Sequence, residues 1–371
     1  MSAVTPIRMP KWGLSMQEGT IVNWWKELGA AVAEGDELVD IETSKITNVF
    51  EAPQAGTLRR ILAQQGETLP VGALIGVVAG DDASDADIDA FVSDFQANFK
   101  PGEGAEDAVG ALALTNVDAG GRVIRVGRAG QADGTPIVLL HGFSGDMNNW
   151  LFNIEALAAN APVIALDLPG HGGSSKDVGD GSLATLAASV ADTLKALDTG
   201  KAHVIGHSLG AAVAARYAAD NPDRIASLTL IAPALFPGTK ASEEFLTGIV
   251  EAQRARDLKP FVEMLFADPS LVTKDMLEDM TKFKRLDGVE EALSVLRDRL
   301  VAATDAPALA AYLAKIPRAI IIASKTDQIV GAPDESALPK SFKVIWIDGA
   351  GHMPHLEKAA EVNAILAEAV R

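Results

Sequence analysis

The run His203-Val204-Ile205-Gly206-His207-Ser208-Leu209-Gly210 constrains this chain more than any other segment. Its apolar start reads as a strand, and the alanine-rich stretch from Ala211 to Ala215 reads as a helix. Between them the backbone must turn sharply, and Gly206 and Gly210 permit that turn because they lack a Cβ. A serine at such a strand-to-helix turn presents its hydroxyl at the end of the sheet. A serine hydroxyl is a weak nucleophile until a base stands beside it, so Ser208 as candidate nucleophile calls for a histidine and an orienting acid.

Both are found downstream. Lys343–Ile347 reads as a strand and runs into Asp348-Gly349-Ala350-Gly351-His352, which makes His352 the expected base; His355 falls in a following helix and is expected to cap or pack. The apolar strand Ala319–Ala323 runs into Ser324-Lys325-Thr326-Asp327, which makes Asp327 the expected acid, although an aspartate there also suits a turn making local backbone bonds. The loop one strand earlier, Ile231-Ala232-Pro233, offers no carboxylate. An oxyanion hole needs two backbone donors, and the N–H groups of Leu209 and Phe143 are the candidates, with Gly142 allowing close approach. His141 and His207 are expected to brace neighbouring loops. No metal is called for.

Further strands are expected at Arg122–Gly127, Ile137–Leu140, Val163–Leu166 and Ser227–Ile231, alternating with helical stretches, so residues 112–371 should form a sheet covered by helices. The segment of about 236–304 carries mainly helical patterns and reads as an insertion before the Asp327 strand. Leu246, Ile249, Val250, Phe261, Met264, Leu265 and Phe266 supply its core or an apolar pocket.

Residues 1–80 hold a second and unrelated pattern, an internal repeat offset by 37 positions. Gly19-Thr20-Ile21 matches Gly56-Thr57-Leu58, Gly29 matches Gly66, and Gly35 matches Gly72. Glycines recurring at one offset imply two copies of the same turns with φ > 0, hence two stacked β units. Lys45 falls between the copies, flanked by Leu38–Glu42 and Thr47–Glu51, and is expected at a hairpin tip.

From Asp81 to Ala108 nine acids face one base, Lys100, which favours an extended linker spanning about 30 Å as a random coil. Within it Ile88, Phe91, Val92, Phe95 and Phe99 share one helical face, which would pack on the following domain or dock another subunit. The net charge of −18 argues against nucleic acid or an anionic membrane as partner. No run of the sequence is long and apolar enough for a membrane span, no signal peptide is read, and there is no cysteine, so a cytoplasmic location is expected.

Met9-Pro10-Lys11-Trp12-Gly13-Leu14-Ser15-Met16-Gln17-Glu18-Gly19 and Glu42-Thr43-Ser44-Lys45 resemble the lipoyl domains of 2-oxo acid dehydrogenase-type complexes, over nearly all of residues 1–80. That likeness implies a small all-β (hammerhead) sandwich with lipoate held covalently on Lys45. Ser44 and Ile46 stand where that family usually has Asp and Ala, and the methionines that flank the lysine of biotin carriers are absent. The Ser208, Asp327 and His352 motifs, with Asp167-Leu168-Pro169-Gly170-His171-Gly172-Gly173-Ser174, resemble the α/β-hydrolase superfamily over 112–371, which implies a helical lid at about 236–304.

With 81–111 as acidic linker, the whole resembles the acyltransferase components of acetoin dehydrogenase complexes. That resemblance implies coenzyme A as cosubstrate, a thiamine-dependent acetoin-cleaving component and a dihydrolipoamide dehydrogenase component as partners. The His-x-x-x-Asp-Gly signature of other such acyltransferases is absent, so acetyl transfer would fall to the hydrolase domain. Hydrolysis by an esterase or thioesterase tethered through its lipoyl domain, and an inert scaffold, are the alternatives. The sequence leaves an oligomer open.

Overall fold

The computed structural model describes residues 4–10, 12, 16–43, 47–80, 82–100, 112–130 and 133–371. The chain divides into two compact units, the first of residues 1–111 with 273–276 and the second of residues 112–272 and 277–371.

The first unit is two four-stranded antiparallel sheets. One runs Val4–Arg8, Leu74–Ala79, Gly56–Ile61, Ala31–Val32; the other runs Thr47–Glu51, Glu37–Glu42, Glu18–Trp24, Thr68–Pro70. The sequence repeat becomes a reciprocal hydrogen-bond pattern. Gly29 N–H donates to Leu58 O at 2.8 Å, and its counterpart Gly66 N–H donates to Ile21 O at 2.7 Å. The repeated glycines serve two purposes. Gly29, Gly35, Gly66 and Gly72 have φ of 83–87°, as the turns require. Gly19 and Gly56 do not have positive φ and are needed for space: a Cβ would lie 2.6 Å from Met9 Sδ in one case and 2.7 Å from Val78 Cγ1 in the other.

Strand Glu37–Glu42 pairs with Thr47–Glu51 up to Glu42 opposite Thr47. Ser44, Lys45 and Ile46, between them in sequence, lie outside the described residues.

The acidic segment is not linker throughout. Asp85–Asn98 is an α-helix, capped where Ser84 Oγ accepts from Asp87 N–H at 3.2 Å. Its apolar face packs on its own unit. Ile88 is fully buried in a cluster with Leu74, Val77, Ala79 and Ala83, edged by Phe91, Val92 and Phe95. The physical reason lies in strand Leu74–Ala79, which is buried at every position and so needs cover on both sides. Arg59 and Arg60 meet Asp85 at 3.0 and 3.1 Å, and Arg60 meets Asp89 at 2.7 Å, which offsets part of the helix's self-repulsion.

The second unit is an eight-stranded sheet of β1 (Ala113–Ala119), β2 (Arg122–Ala129), β3 (Ile137–Leu140), β4 (Val163–Leu166), β5 (Ala202–His207), β6 (Ile225–Ile231), β7 (Ala319–Ala323) and β8 (Phe342–Trp346). The spatial order is β8-β7-β6-β5-β3-β4-β2-β1, parallel except for the β1–β2 and β2–β4 pairs. Strand β1 was not expected from the sequence. It is an edge strand with mostly exposed side chains, so it lacks the apolar signature, and only the Gly120-Gly121 turn marks it.

Between β6 and β7 five helices are inserted: Glu243–Glu251, Ala255–Glu263, Lys274–Lys284, Val289–Ala302 and Ala306–Leu313. Leu246, Ile249, Val250 and Phe266 are buried, while Phe261, Met264 and Leu265 are half-buried. The buried Lys284 donates to the carbonyls of Ile249, Val250 and Ala252, closing the C-terminal end of the first inserted helix. The last inserted helix packs on Leu209–Asp220, where Arg216 lies 4.2 Å from the Tyr312 ring centroid.

Ile88→Ala is expected to cost the first unit about 2–4 kcal/mol. Hydrogen exchange should rise at the amides of Asp85–Asn98 first, while those of Leu74–Ala79 stay protected.

Candidate active site

The parallel strands bring four loops to one end of the sheet, the carboxyl ends where open α/β sheets place their sites. They follow β3 (His141-Gly142-Phe143), β5 (Ser208), β7 (Asp327) and β8 (His352). Because β3 and β5 are hydrogen-bonded neighbours, the Phe143 loop comes against Ser208.

Ser208 has φ 53° and ψ −117°, a conformation costing on the order of 1–3 kcal/mol outside glycine. The surroundings hold it there. Its N–H donates to Ile231 O at 2.9 Å, and its carbonyl accepts from Ala211 N–H at 3.1 Å and Ala234 N–H at 3.2 Å. The flanking glycines are steric necessities: a Cβ on Gly206 would lie 2.4 Å from Gly210 O, and one on Gly210 would lie 2.3 Å from both His141 O and Leu140 O. A Cβ on Gly142 would lie 3.0 Å from Ser208 Cβ, which shows how closely the β3 loop approaches.

Asp327 and His352 are brought together. His352 Nδ1 donates to Asp327 Oδ2 at 2.8 Å, with both side chains almost wholly buried. The other carboxylate oxygen, Oδ1, accepts from the N–H groups of Ile329 at 2.8 Å and Val330 at 3.0 Å. Asp327 therefore makes the local turn bonds and the histidine bond at once. Burial would raise its carboxyl, but the facing His352 and the two amides outweigh burial, and it sits below the ordinary 3.8. Ser324 Oγ and Thr326 Oγ1 both donate to Ala350 O, the latter at 2.6 Å, tying the Asp327 loop to the His352 loop.

Among the described residues no acceptor meets the backbone N–H of Phe143 or of Leu209. Two histidines fix the first of these amides. His141 Nδ1 donates to Gly142 O at 2.7 Å, and since that carbonyl shares a trans peptide plane with the Phe143 N–H, the N–H must point the opposite way. His171 Nε2 accepts from Ser144 N–H at 3.0 Å, fixing the next peptide. Their remaining ring nitrogens accept from Leu168 N–H at 3.0 Å (His141) and donate to Pro169 O at 2.9 Å (His171), so both rings are neutral with the proton on Nδ1.

The sequence motif carried no role for His171 or for Asp167, and the structure supplies one. The fully buried Asp167 carboxylate accepts from Met147 N–H at 2.9 Å and Gly173 N–H at 2.7 Å, anchoring the loops on either side. His207 Nε2 donates to His352 O at 2.8 Å, and the buried His355 ring stacks between Trp150 and His207 at 4.7 and 4.6 Å. Burial holds His171 and His355 down to about 3, and pushes His141 and His207 below the ordinary 6.5 as well.

The sequence matches the alpha/beta hydrolase family over residues 137–365 and the biotin-requiring enzyme (biotin/lipoyl) family over residues 5–78. It is 46% identical to the dihydrolipoyllysine-residue acetyltransferase component of the acetoin cleaving system of Pseudomonas putida, across 98% of this chain and 97% of the relative. It is 44% identical to the component of that name in Cupriavidus necator, across 98% and 96%. Among solved structures, 2-hydroxy-6-oxo-6-phenylhexa-2,4-dienoate hydrolase of a Rhodococcus strain superposes with a TM-score of 0.62 at 20% identity, covering 69% of this chain and 98% of that one. That likeness shows the fold of the second unit. No described helix is long and apolar enough to cross a membrane.

Two outcomes follow from this geometry. Asp327→Asn should slow chemical modification of Ser208 by a factor on the order of 10⁴, since the amide no longer selects the Nδ1–H tautomer of His352. The depressed histidines bind fewer protons folded than unfolded, so stability should be full above pH 6.5 and fall steadily as pH drops toward 3, read as melting temperature against pH.

Proposed function

Since the chain belongs to the dihydrolipoyllysine-residue acetyltransferase components of acetoin cleaving systems, we propose that it transfers an acetyl group from a dihydrolipoyl arm on Lys45 to coenzyme A at Ser208. The observation that carries this reading is the buried His352–Asp327 pair at 2.8 Å, joined to the strained Ser208 turn through the His207 Nε2–His352 O bond at 2.8 Å, with two amides without acceptors on the Phe143 and Ser208 loops. In the first unit, Lys45 falls in sequence between the paired strands Glu37–Glu42 and Thr47–Glu51, which suits the point of attachment of a carrier arm.

A dihydrolipoyl group on Lys45 would supply the acetyl thioester, bringing it to the cleft on a tether. Ser208 Oγ attacks the thioester carbonyl as His352 Nε2 takes the hydroxyl proton. The N–H groups of Phe143 and Leu209 hold the negative oxygen, and Asp327 stabilises the imidazolium. The carbon–sulfur bond then breaks, His352 gives its proton to the departing sulfur, and acetyl remains on Ser208. In the second half His352 takes the proton of the coenzyme A thiol, the sulfur attacks the Ser208 ester, and the proton returns to Oγ as that ester breaks. Both halves balance without an oxidant. Before the cycle, the arm must be acetylated by a thiamine-dependent component that cleaves acetoin. After it, the dithiol must be reoxidised by a flavin-dependent dihydrolipoamide dehydrogenase.

The test supplies acetylated lipoyl domain and coenzyme A to the full chain and measures acetyl-coenzyme A against free acetate. Wild type should form acetyl-coenzyme A, and Ser208→Ala should reduce it by a factor on the order of 10⁶. Acetate as the sole product, or turnover indifferent to Ser208, would overturn the proposal. Mass spectrometry of the chain from its native host should find Lys45 lipoylated.

A further inference from the structure

Glu357 lies in the short helix Pro354–Glu357, five positions beyond His352, and no part of the reaction above uses it. Its carboxylate joins two segments far apart in sequence. Oε1 accepts from Gly351 N–H at 2.6 Å, in the residue before the catalytic histidine, and Oε2 accepts from Ala267 N–H at 2.7 Å, in the helical insertion. Next to this bridge, His352 N–H donates to Leu265 O at 2.8 Å. The two backbones are in direct contact: a Cβ on Gly351 would lie 2.8 Å from Ala267 N and from Leu265 O. Burial pushes the Glu357 carboxyl up despite the surrounding amides, so the charge is kept in a site unfavourable to it.

We propose that Glu357 is a positioning residue that locks the insertion at Leu265–Ala267 to the His352 loop, so that the catalytic base and the lid move as one body. Only a carboxylate serves both sides of the clamp, because each of its oxygens accepts; an amide of equal size turns a donor toward one of the two N–H groups. The consequence is that displacing the lid displaces the base. A seryl ester left under an open lid then faces water without a positioned general base, so it would persist until the lid closes and restores His352 to its place. This consequence rests on the roles proposed above for Ser208 and His352.

The experiment uses the full chain and a fluorophosphonate, whose fluoride Ser208 Oγ displaces from phosphorus as His352 takes the hydroxyl proton. Labelling of wild type but not Ser208→Ala establishes the catalytic pair independently; its absence would defeat that reading rather than the clamp. Glu357→Gln should lower the maximal labelling rate about 10- to 100-fold, at unchanged half-saturation, as expected when a reacting group shifts by roughly 1 Å. Hydrogen exchange should rise at both the Gly351 and Ala267 amides. Glu361→Gln, on the exposed side of the last helix, should match wild type. Should Glu357→Gln fail to fold, Gly351→Ala probes the same contact from the other side and should give the same loss. A labelling rate within about twofold of wild type in the folded variant, or a slower rate with exchange at Ala267 unchanged, would overturn the clamp.

Discussion

The second unit is organised around one crowded turn. At Ser208 the backbone takes a positive φ that a residue with a side chain adopts only under compulsion, and the compulsion is steric. Gly206 lies against the start of the next helix and Gly210 against the carbonyls that end β3, both within distances that admit no Cβ. Strand β5, helix Leu209–Asp220 and strand β3 are thereby locked at one point. The Phe143 loop inherits its position from that lock, because Gly142 leaves only van der Waals space above Ser208. Strain at Ser208 is thus held by packing at the centre of the sheet together with the hydrogen bonds of its own backbone groups.

Around this turn the site is kept electrically quiet until it reacts. Four histidines are buried and held neutral, and each uses its ring nitrogens or its ring face as a brace. The two buried carboxylates, Asp167 and Asp327, each accept two backbone N–H groups; burial pushes the Asp167 carboxyl up, while the facing His352 and two amides hold that of Asp327 down. In a low-dielectric setting that arrangement fixes donors in advance of the negative charge they would stabilise, so little reorganisation is left to the reaction itself.

The first unit solves a different problem. A duplicated β unit of this length exposes strand Leu74–Ala79 on one side, and its side chains are too apolar for water. The acidic helix Asp85–Asn98 covers it and accepts from the two arginines that the neighbouring strand Gly56–Ile61 presents. A segment whose composition reads as a self-repelling tether thus contributes fourteen residues to a folded layer. Average composition over a window cannot register that one face of the window is apolar and has a matching surface waiting for it.

Motif and periodicity made the two-unit plan, seven of the eight strands of the second unit's sheet, the repeat glycines, the turn at Ser208 and the pairing of Asp327 with His352 legible from residues alone, because each depends on short-range geometry: a turn without room for Cβ, an apolar run of strand length, a polar residue just past it. The edge strand Ala113–Ala119 was not legible, since an exposed strand carries no burial pattern. Nor was the partner of the acidic helix, the bracing of Phe143 by His141 and His171, or the joining of Gly351 to Ala267 through Glu357. These pair groups from well-separated parts of the chain, and their choice of partner is made by packing, which no local pattern encodes. The sequence by itself determined on which elements Ser208, Asp327 and His352 sit; only the tertiary structure decided what holds each in place, because buried donors and acceptors find partners wherever the folded chain brings them.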